Sequence, residues 1–478
     1  MATPEAAQSS STQSSEKVEE QISCEKLTHV SELNESLVGK NLKVRGFLHI
    51  KRETKKMMFY VIRQAKYTFQ VAVLKSKDKP QEDITVESSI EVCGTLQKAM
   101  QPIKSCTQQD VEMFNPTVKV VSESATPLPI QINQLFGGEG IKKGPDGRFE
   151  NAPELATSLK FRPLDLRTLA NWAIFRIKAG VSRLFREFLT ERKFIEIHTP
   201  KICPGKSEGG ANCFELQYFD DKATLAQSPQ LYKQMCICGG MEKVFEVAPA
   251  FRAEKSNTPR HLCEFISMDF EMELSEFKEL PIFTLQLFKY MFDGLNAQYK
   301  DEIEAIKQQY PVAPIVYDST PVLVQFDEAC KWINESQSKI VQSPTEDIGT
   351  EAERILGKIV KEKFNTDIYC LVGFPQSARP FYTHPDPERP GYSLSFDVEL
   401  RGEEIVSGAQ RINSSSLLEQ RGKELDIEIP KEYVDAFRFG APPHGGVGIG
   451  LERVTMFFLG LTSIREACLF PRFYGGAL

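Results

Sequence analysis

Apolar and polar positions alternate along Leu42, Val44, Gly46, Leu48 and Ile50, then at Phe59 and Val61, at Phe69, Val71 and Val73, and at Ile90 and Val92. Short strands at this spacing predict a small β-barrel over residues 26–129. Residues 130–165 follow as a linker or hinge, punctuated by Gly137, Gly138, Gly140, Gly144, Pro145 and Gly147. From Leu166 to Arg192 the period becomes helical, with Ile174, Ile177, Val181, Leu184, Phe185 and Phe188 on one face. A strand at Phe194–Ile197 stops before Pro200. Two further alternating runs, Val244–Val247 and Phe265–Met272, flank turn chemistry at Lys255–Pro259 and predict a long antiparallel hairpin. Residues 274–363 read as a mostly helical insertion, with helices over Phe277–Gln309, Pro321–Trp332 and Glu346–Phe364. Strand signals return at Ile368–Val372, Tyr392–Leu400 and Gly402–Asn413; PPHGGVGIGLERVTMFFLG then reads as a Gly-rich turn opening an apolar helix. The class is α+β: an N-terminal barrel, then residues 166–478 as an antiparallel sheet flanked by helices.

Composition narrows this little. A chain of 478 residues has room for two or three domains. No apolar run reaches membrane-spanning length and no signal-peptide core is present, so no membrane partner is expected. Eleven cysteines without a repeated CxxC spacing fit reduced thiols in a cytosolic protein. The net charge of −7 argues against a general nucleic-acid coat. Residues 1–25, rich in Ser, Ala, Gln and Glu, read as a disordered tail without a basic arm.

A local patch differs. Lys40–Lys66 holds nine Lys or Arg against Glu53 alone, with Phe59, Tyr60, Tyr67 and Phe69 interleaved. Charge for phosphates and rings for unstacked bases suit single-stranded nucleic acid; a solvated barrel face with core aromatics is the plainer alternative. The hairpin carries Arg252, Glu254, Arg260, His261, Glu264, Asp269 and Glu271 where packing residues are usual. Arg411 and Arg453 lie downstream, near Asp397, Glu403 and Glu404. Arginine forks bind phosphate and carboxylate oxygens, and clustered carboxylates hold Mg²⁺ bridged to phosphates. Neither a Ser-His-Asp or Cys-His set nor a P-loop or kinase signature is present. The residues suit phosphoryl or nucleotidyl transfer to a carboxylate, in which positioning and charge neutralisation suffice.

FRAE, a variable turn and RHLCEFISMD resemble motif 2 of the class II aminoacyl-tRNA synthetases; Phe194–Pro200 resembles motif 1 and GIGLER from Gly448 resembles motif 3. The SEGGAN loop from Ser207, QSPQLYKQ, SGAQRI and the barrel resemble the eukaryotic and archaeal-type aspartyl enzymes, subclass IIb, over nearly the whole chain from Leu37. The resemblance implies an OB-fold anticodon domain, a class II catalytic domain, ATP with Mg²⁺, L-aspartate and tRNA(Asp) as substrates, a homodimer through motif 1, and a cytoplasmic aspartate–tRNA ligase. It implies Arg252 on the ATP α-phosphate and substrate carboxylate, and Arg453 on adenine and the γ-phosphate, as the catalytic arginines. Glu254, Phe265, Arg260, His261 and Leu262 would surround adenine and the γ-phosphate, beside Gly450, Leu451 and Glu452. Asp397, Glu404 and Ser407 would hold Mg²⁺–ATP. Ser207, Glu208, Gln230, Lys233, Asp269, Ser407 and Arg411 would surround aspartate, and Arg52, Phe59 and Gln70 would meet the anticodon.

Lys233 and Arg411 favour an aspartate carboxylate over an asparagine amide, which also needs an acceptor, and over lysine, which needs acids. The plainer reading makes Lys233 a surface charge and Arg411 a structural ion pair. The rival functions are an asparaginyl enzyme, an ammonia-dependent asparagine synthetase, and a synthetase-like RNA binder without turnover. The family's FPRD ending is Phe470-Pro471-Arg472-Phe473 here, which removes the last acid. The turn Lys255–Pro259 is expected to order on ligand binding.

Overall fold

In this computed structural model the described residues are 26–75, 83–136, 142–144, 147–204, 213–311, 313–317, 320–336 and 340–476. Ser207, Glu208, the first 25 residues and, in the linker, residues 137–141 and 145–146 lie outside them. The chain divides between Trp172 and Ala173 into two compact units, a little beyond the Leu166 boundary read from the sequence.

The first unit is a closed five-stranded barrel. Its strands are β1 (Asn41–Glu53), β2 (Met57–Gln64), β3 (Tyr67–Leu74), β4 (Ser89–Lys98) and β5 (Val111–Phe114), with β6 (Thr117–Ser122) added beside β4. The order β1-β2-β3-β5-β4 closes because β1 is long enough for two partners. Asn41–Phe47 pairs with β4, and Phe47–Glu53 pairs with β2, with a bulge between Leu48 and Ile50. Gly46 lies beside this change of partner, where a Cβ would sit 2.6 Å from the Arg63 carbonyl oxygen. Val44, Leu48, Ile62, Phe69, Val71, Ile90 and Val92 fill the interior. Tyr60 and Phe69 are also interior, which corrects the reading of them as rings for bases; of the four aromatics in that patch only Phe59 and Tyr67 are partly exposed.

The second unit is an eight-stranded sheet. Its strands, in chain order, are β7 (Ile195–Glu196), β11 (Lys243–Phe251), β12 (Glu264–Glu273), β13 (Leu323–Gln325), β14 (Ile368–Val372), β15 (Ser395–Leu400), β16 (Glu404–Gln410) and β17 (His444–Gly450). A separate small sheet holds β8 (Ile202–Cys203), β9 (Glu215–Tyr218) and β10 (Asp221–Leu225). The spatial order is β13-β14-β15-β16-β17-β12-β11-β7, antiparallel except for the two edge pairs. The amphipathic helix forms over Leu169–Glu191, with Ile174, Ile177, Val181 and Phe185 at 0% exposure. No helix among the described residues is long and apolar enough to cross a membrane.

Three assignments change. Phe277–Gln309 is two helices, Glu279–Gln298 and Lys300–Lys307, broken at Tyr299, whose backbone leaves the helical region. Pro321–Trp332 is not one helix: Leu323–Gln325 joins the sheet edge beside β14, and the helix starts at Phe326. Nor is HGGVGIG a turn. It is β17, a central strand between β12 and β16. Glycine is poor in strands, so the sequence favoured a turn; its place here reflects what must be missing above it.

Candidate active site

One row of paired residues crosses the sheet: Asp269 of β12 faces Gly448 of β17, which faces Ser407 of β16, which faces Asp397 of β15. Side chains of paired residues project to the same face. A Cβ on Gly448 would meet Asp269 Oδ1 at 3.3 Å, and one on Gly446 would meet Glu271 Oε2 at 2.1 Å. The alternate glycines therefore leave a bare floor between acids and hydroxyl. Above it opens a cavity of about 410 Å³.

The hairpin β11–β12 supplies one wall: Arg252, Glu254, Arg260, His261, Leu262 and Phe265 all border the cavity. The Arg252 guanidinium stands 5.4 Å from the Phe265 ring centre. His261 Nε2 is 3.7 Å from Glu254 Oε2, and burial lowers its pKa against the pull of Glu254. Arg260 donates to Glu403 Oε2 at 2.7 Å and to Thr350 Oγ1 at 2.8 Å, so Glu403 serves the hairpin rather than the floor. The turn itself is anchored by the C-terminal segment. Ile464 N–H donates to the Pro259 carbonyl at 2.8 Å, and Arg465 reaches Asn257 while lying 3.7 Å over the Phe473 ring. Phe473, the residue in place of the family's acid, thus packs under a turn anchor.

The far wall is β16 and the helix Leu451–Leu459. Glu404, Ser407, Gly450, Glu452 and Arg453 border the cavity. Arg453 donates to the Glu404 carbonyl at 3.0 Å and lies 3.9 Å from its carboxylate. Glu452 accepts from Ile266 N–H at 3.0 Å and from Lys178 at 2.7 Å, locking the helix start to β12. Leu451, buried, is not among the wall residues.

At one end Gln230, Asp269 and Arg411 reach the cavity, while Lys233 stands one layer behind. The cations expected to await an anion are already paired. Lys233, at 1% exposure, donates to Asp269 Oδ1 at 3.0 Å and to the Val447 carbonyl at 2.9 Å, and is 3.4 Å from Glu271. Arg411 donates to Glu271 at 3.0 Å, to the Gly446 carbonyl at 2.9 Å and to Gln230 at 3.2 Å. Burial opposes ionisation of Glu271, yet Arg411 and Lys233 together hold its carboxyl below the usual value. Unpaired buried cations would cost several kcal/mol each, which accounts for the two acids beneath them. Lys233 is therefore not the surface charge of the plainer reading.

Two parts of the site escaped the sequence. Arg379 borders the cavity, grips Asp397 with both amino groups at 3.0 and 2.7 Å, and donates to Ser407 Oγ at 2.9 Å. Only its position before Pro380, in a stretch without period, could have marked it. Glu399, two residues from Asp397 on β15, is 1% exposed, and neither carboxylate oxygen has a hydrogen-bond partner. Burial, then the Glu353 charge, pushes Glu399 well above the usual range; burial and Glu404 push Glu353 up to about 7.

In the barrel, Arg52 pairs with Phe59 across β1–β2, and Val61, two residues on, pairs with Gln70 of β3. The three side chains share the outer face, opposite the interior set Met58, Tyr60 and Ile62. Gln70 donates to Glu112 at 2.9 Å.

The family "tRNA synthetases class II (D, K and N)" matches residues 154–474. The cytoplasmic aspartate–tRNA ligase of Caenorhabditis elegans is 45% identical over 455 residues, covering 93% of this chain and 85% of that one. An aspartyl-tRNA synthetase structure from Entamoeba histolytica superposes with a TM-score of 0.81 at 40% identity, covering 94% of this chain and 91% of that one. The asparaginyl-tRNA synthetase of Pyrococcus horikoshii, complexed with asparaginyl-adenylate, gives 0.79 at only 27% identity, covering 94% of this chain and 98% of that one.

Proposed function

The chain belongs to the class II tRNA synthetases (D, K and N), and from that premise we infer that it is a cytoplasmic aspartate–tRNA ligase. Identity separates the two amino acids where fold does not, since the aspartate relatives stand well above the asparagine relative over the same coverage. The observation that carries the chemistry is that one cavity gathers Arg252 and Phe265 of the hairpin with Arg411 and Arg453 from two later stretches.

In this reading adenine lies between Phe265 and Arg453, with Glu254 at its amino edge and Arg260, His261 and Leu262 beside the phosphates. Arg252 spans the α-phosphate and the aspartate α-carboxylate. The ammonium group faces Gln230 and Asp269, and the side-chain carboxylate enters the network of Lys233 and Arg411. Ser207 and Glu208 belong to the loop proposed to close over it. The α-carboxylate attacks the α-phosphorus, giving aspartyl-adenylate and pyrophosphate; Arg252 neutralises charge building on phosphorus. The terminal ribose hydroxyl of tRNA then attacks the adenylate carbonyl, forming the ester and releasing AMP.

Asp397, Glu404 and Ser407 offer two carboxylates and a hydroxyl, hard oxygen donors that fit Mg²⁺ shared with phosphates. Among the described residues no group of three or more His, Cys, Asp or Glu is disposed to hold a metal. Bound there, Mg²⁺ would offset triphosphate charge. Arg52, Phe59 and Gln70 are assigned to the anticodon. A homodimer through the Phe194–Pro200 segment would cover Ile195 and Ile202, each about half exposed.

The test is pyrophosphate exchange. Arg252→Ala is expected to abolish aspartate-dependent exchange with the fold intact; near-normal exchange would overturn the assignment.

A further inference from the structure

Two of the three oxygen donors assigned to Mg²⁺ are already occupied by a side chain. Arg379 follows the short turn Gln376–Ala378, and its side chain is 9% exposed. The guanidinium lies 3.7 Å from the Phe374 ring centre, which fixes its plane. Its two amino groups take both oxygens of Asp397, at 3.0 and 2.7 Å, and one also donates to Ser407 Oγ at 2.9 Å. The third donor, Glu404, faces Arg453 at 3.9 Å. Asp397 and Glu404, the two acids of this set, thus each face a guanidinium.

The pairing has an electrostatic reason. Asp397 is 6% exposed, and a carboxylate buried this far needs a counter-charge bonded to it. Arg379 provides the cation without any ion from solution. A guanidinium bonded to both Asp397 oxygens and to Ser407 competes for those atoms with a divalent ion and repels it by its like charge.

We propose that Arg379 is a place-holder for the metal: it occupies Asp397 and Ser407 in the nucleotide-free protein, keeps free divalent cations off them, and yields when nucleotide delivers the metal. Displaced, the guanidinium remains at the cavity wall, where phosphate oxygens are the available anions. The order of binding follows: metal enters with ATP, not before it. This proposal rests on the reading of Asp397, Glu404 and Ser407 as metal donors.

The experiment is Mn²⁺ binding followed by electron paramagnetic resonance, on wild type, Arg379→Gln, Arg379→Lys and Asp397→Asn, each with and without ATP. Wild type and Arg379→Lys are expected to take up little Mn²⁺ until ATP is added. Arg379→Gln is expected to bind one Mn²⁺ without nucleotide at least roughly tenfold more tightly than wild type, because a like charge has left the donors. Mg²⁺ alone should then restore melting temperature lost in Arg379→Gln; a purely structural arginine would lower it equally with Mg²⁺ or chelator. If Arg379→Gln binds Mn²⁺ no better than wild type while uptake with ATP still needs Asp397, the place-holder is wrong and the donor reading stands. If uptake with ATP does not need Asp397, the donor reading fails and takes the proposal with it.

Discussion

Arg411 serves an internal acid before it serves a substrate. Its bond to Glu271 means that, on the proposed placement, an aspartate carboxylate would arrive into a charge-balanced network and specificity would depend on re-partnering. Arg411→Gln is expected to raise the aspartate requirement by roughly two orders of magnitude and the ATP requirement by less than about threefold, since a charge-assisted bidentate contact is lost only for the amino acid. Separate titrations of the two substrates in pyrophosphate exchange check this, and equal effects would contradict the placement. Glu399 makes the opposite kind of prediction. Burial holds its carboxyl well above the usual range, so it keeps its proton to higher pH when folded than when unfolded. The residue therefore costs stability increasingly as pH rises above the ordinary carboxylate value. Glu399→Leu is expected to raise the melting temperature, more at pH 7.5 than at pH 5. A gain that is equal at both pH values would mean that Glu399 is ionised and paired.

Among the elements, β17 carries the most information per residue. Its glycines follow from the side chains across the sheet: Gly446 has Glu271 and the Phe270 carbonyl within 2.2 Å of where a Cβ would be. Gly446→Ala should destabilise by about 1–3 kcal/mol through overpacking against backbone, while Gly448→Ala, whose Cβ would meet only the Asp269 carboxylate at a tight 3.3 Å, should fold once that side chain gives and should lose substrate affinity. Chemical denaturation and substrate binding on the two variants separate these effects. The hairpin β11–β12 was legible because its alternation is strict and its turn residues are unambiguous. β17 was not, because a strand lacking side chains has no hydrophobic period. The edge strand Leu323–Gln325 was missed for a related reason: three residues leading straight into Phe326 read as the start of the helix. Arg379 and Glu271 show the limit for site residues. Their importance lies in partners 18 and 140 positions away, which no local pattern encodes.

Across the whole molecule, each unit has its own polar core. In the first, Glu87 at 2% exposure takes Arg63 at 2.7 Å through both oxygens and Arg167 at 3.1 Å. Burial would raise its pKa, but the nearby His49 ring, 3.9 Å away, and the bonded Arg63 and Arg167 guanidinia prevail and hold it at about 2. A depressed carboxylate stabilises above the unfolded value and loses that contribution as pH falls toward 2. The shift is worth roughly 3 kcal/mol at neutral pH. Glu87→Gln is expected to lose stability at pH 7 and to flatten acid unfolding of this unit between about pH 4.5 and 2, as followed by circular dichroism of the variant and wild type. An unchanged acid profile would place the acid sensitivity elsewhere. The α+β class, the closed barrel and the order of the motifs were all readable from the sequence, because long alternating runs and linked segments carry them. The internal pairing of cations with acids was not, since pairing is a property of the folded chain.

The central claim is that this cavity activates aspartate and passes it to tRNA. Aminoacylation of tRNA(Asp) transcript, with labelled aspartate and labelled asparagine in parallel reactions, tests it most directly. Aspartyl-tRNA should form, dependent on ATP, with asparagine left unattached. Attachment of asparagine instead, or RNA binding without attachment of either amino acid, would contradict the account.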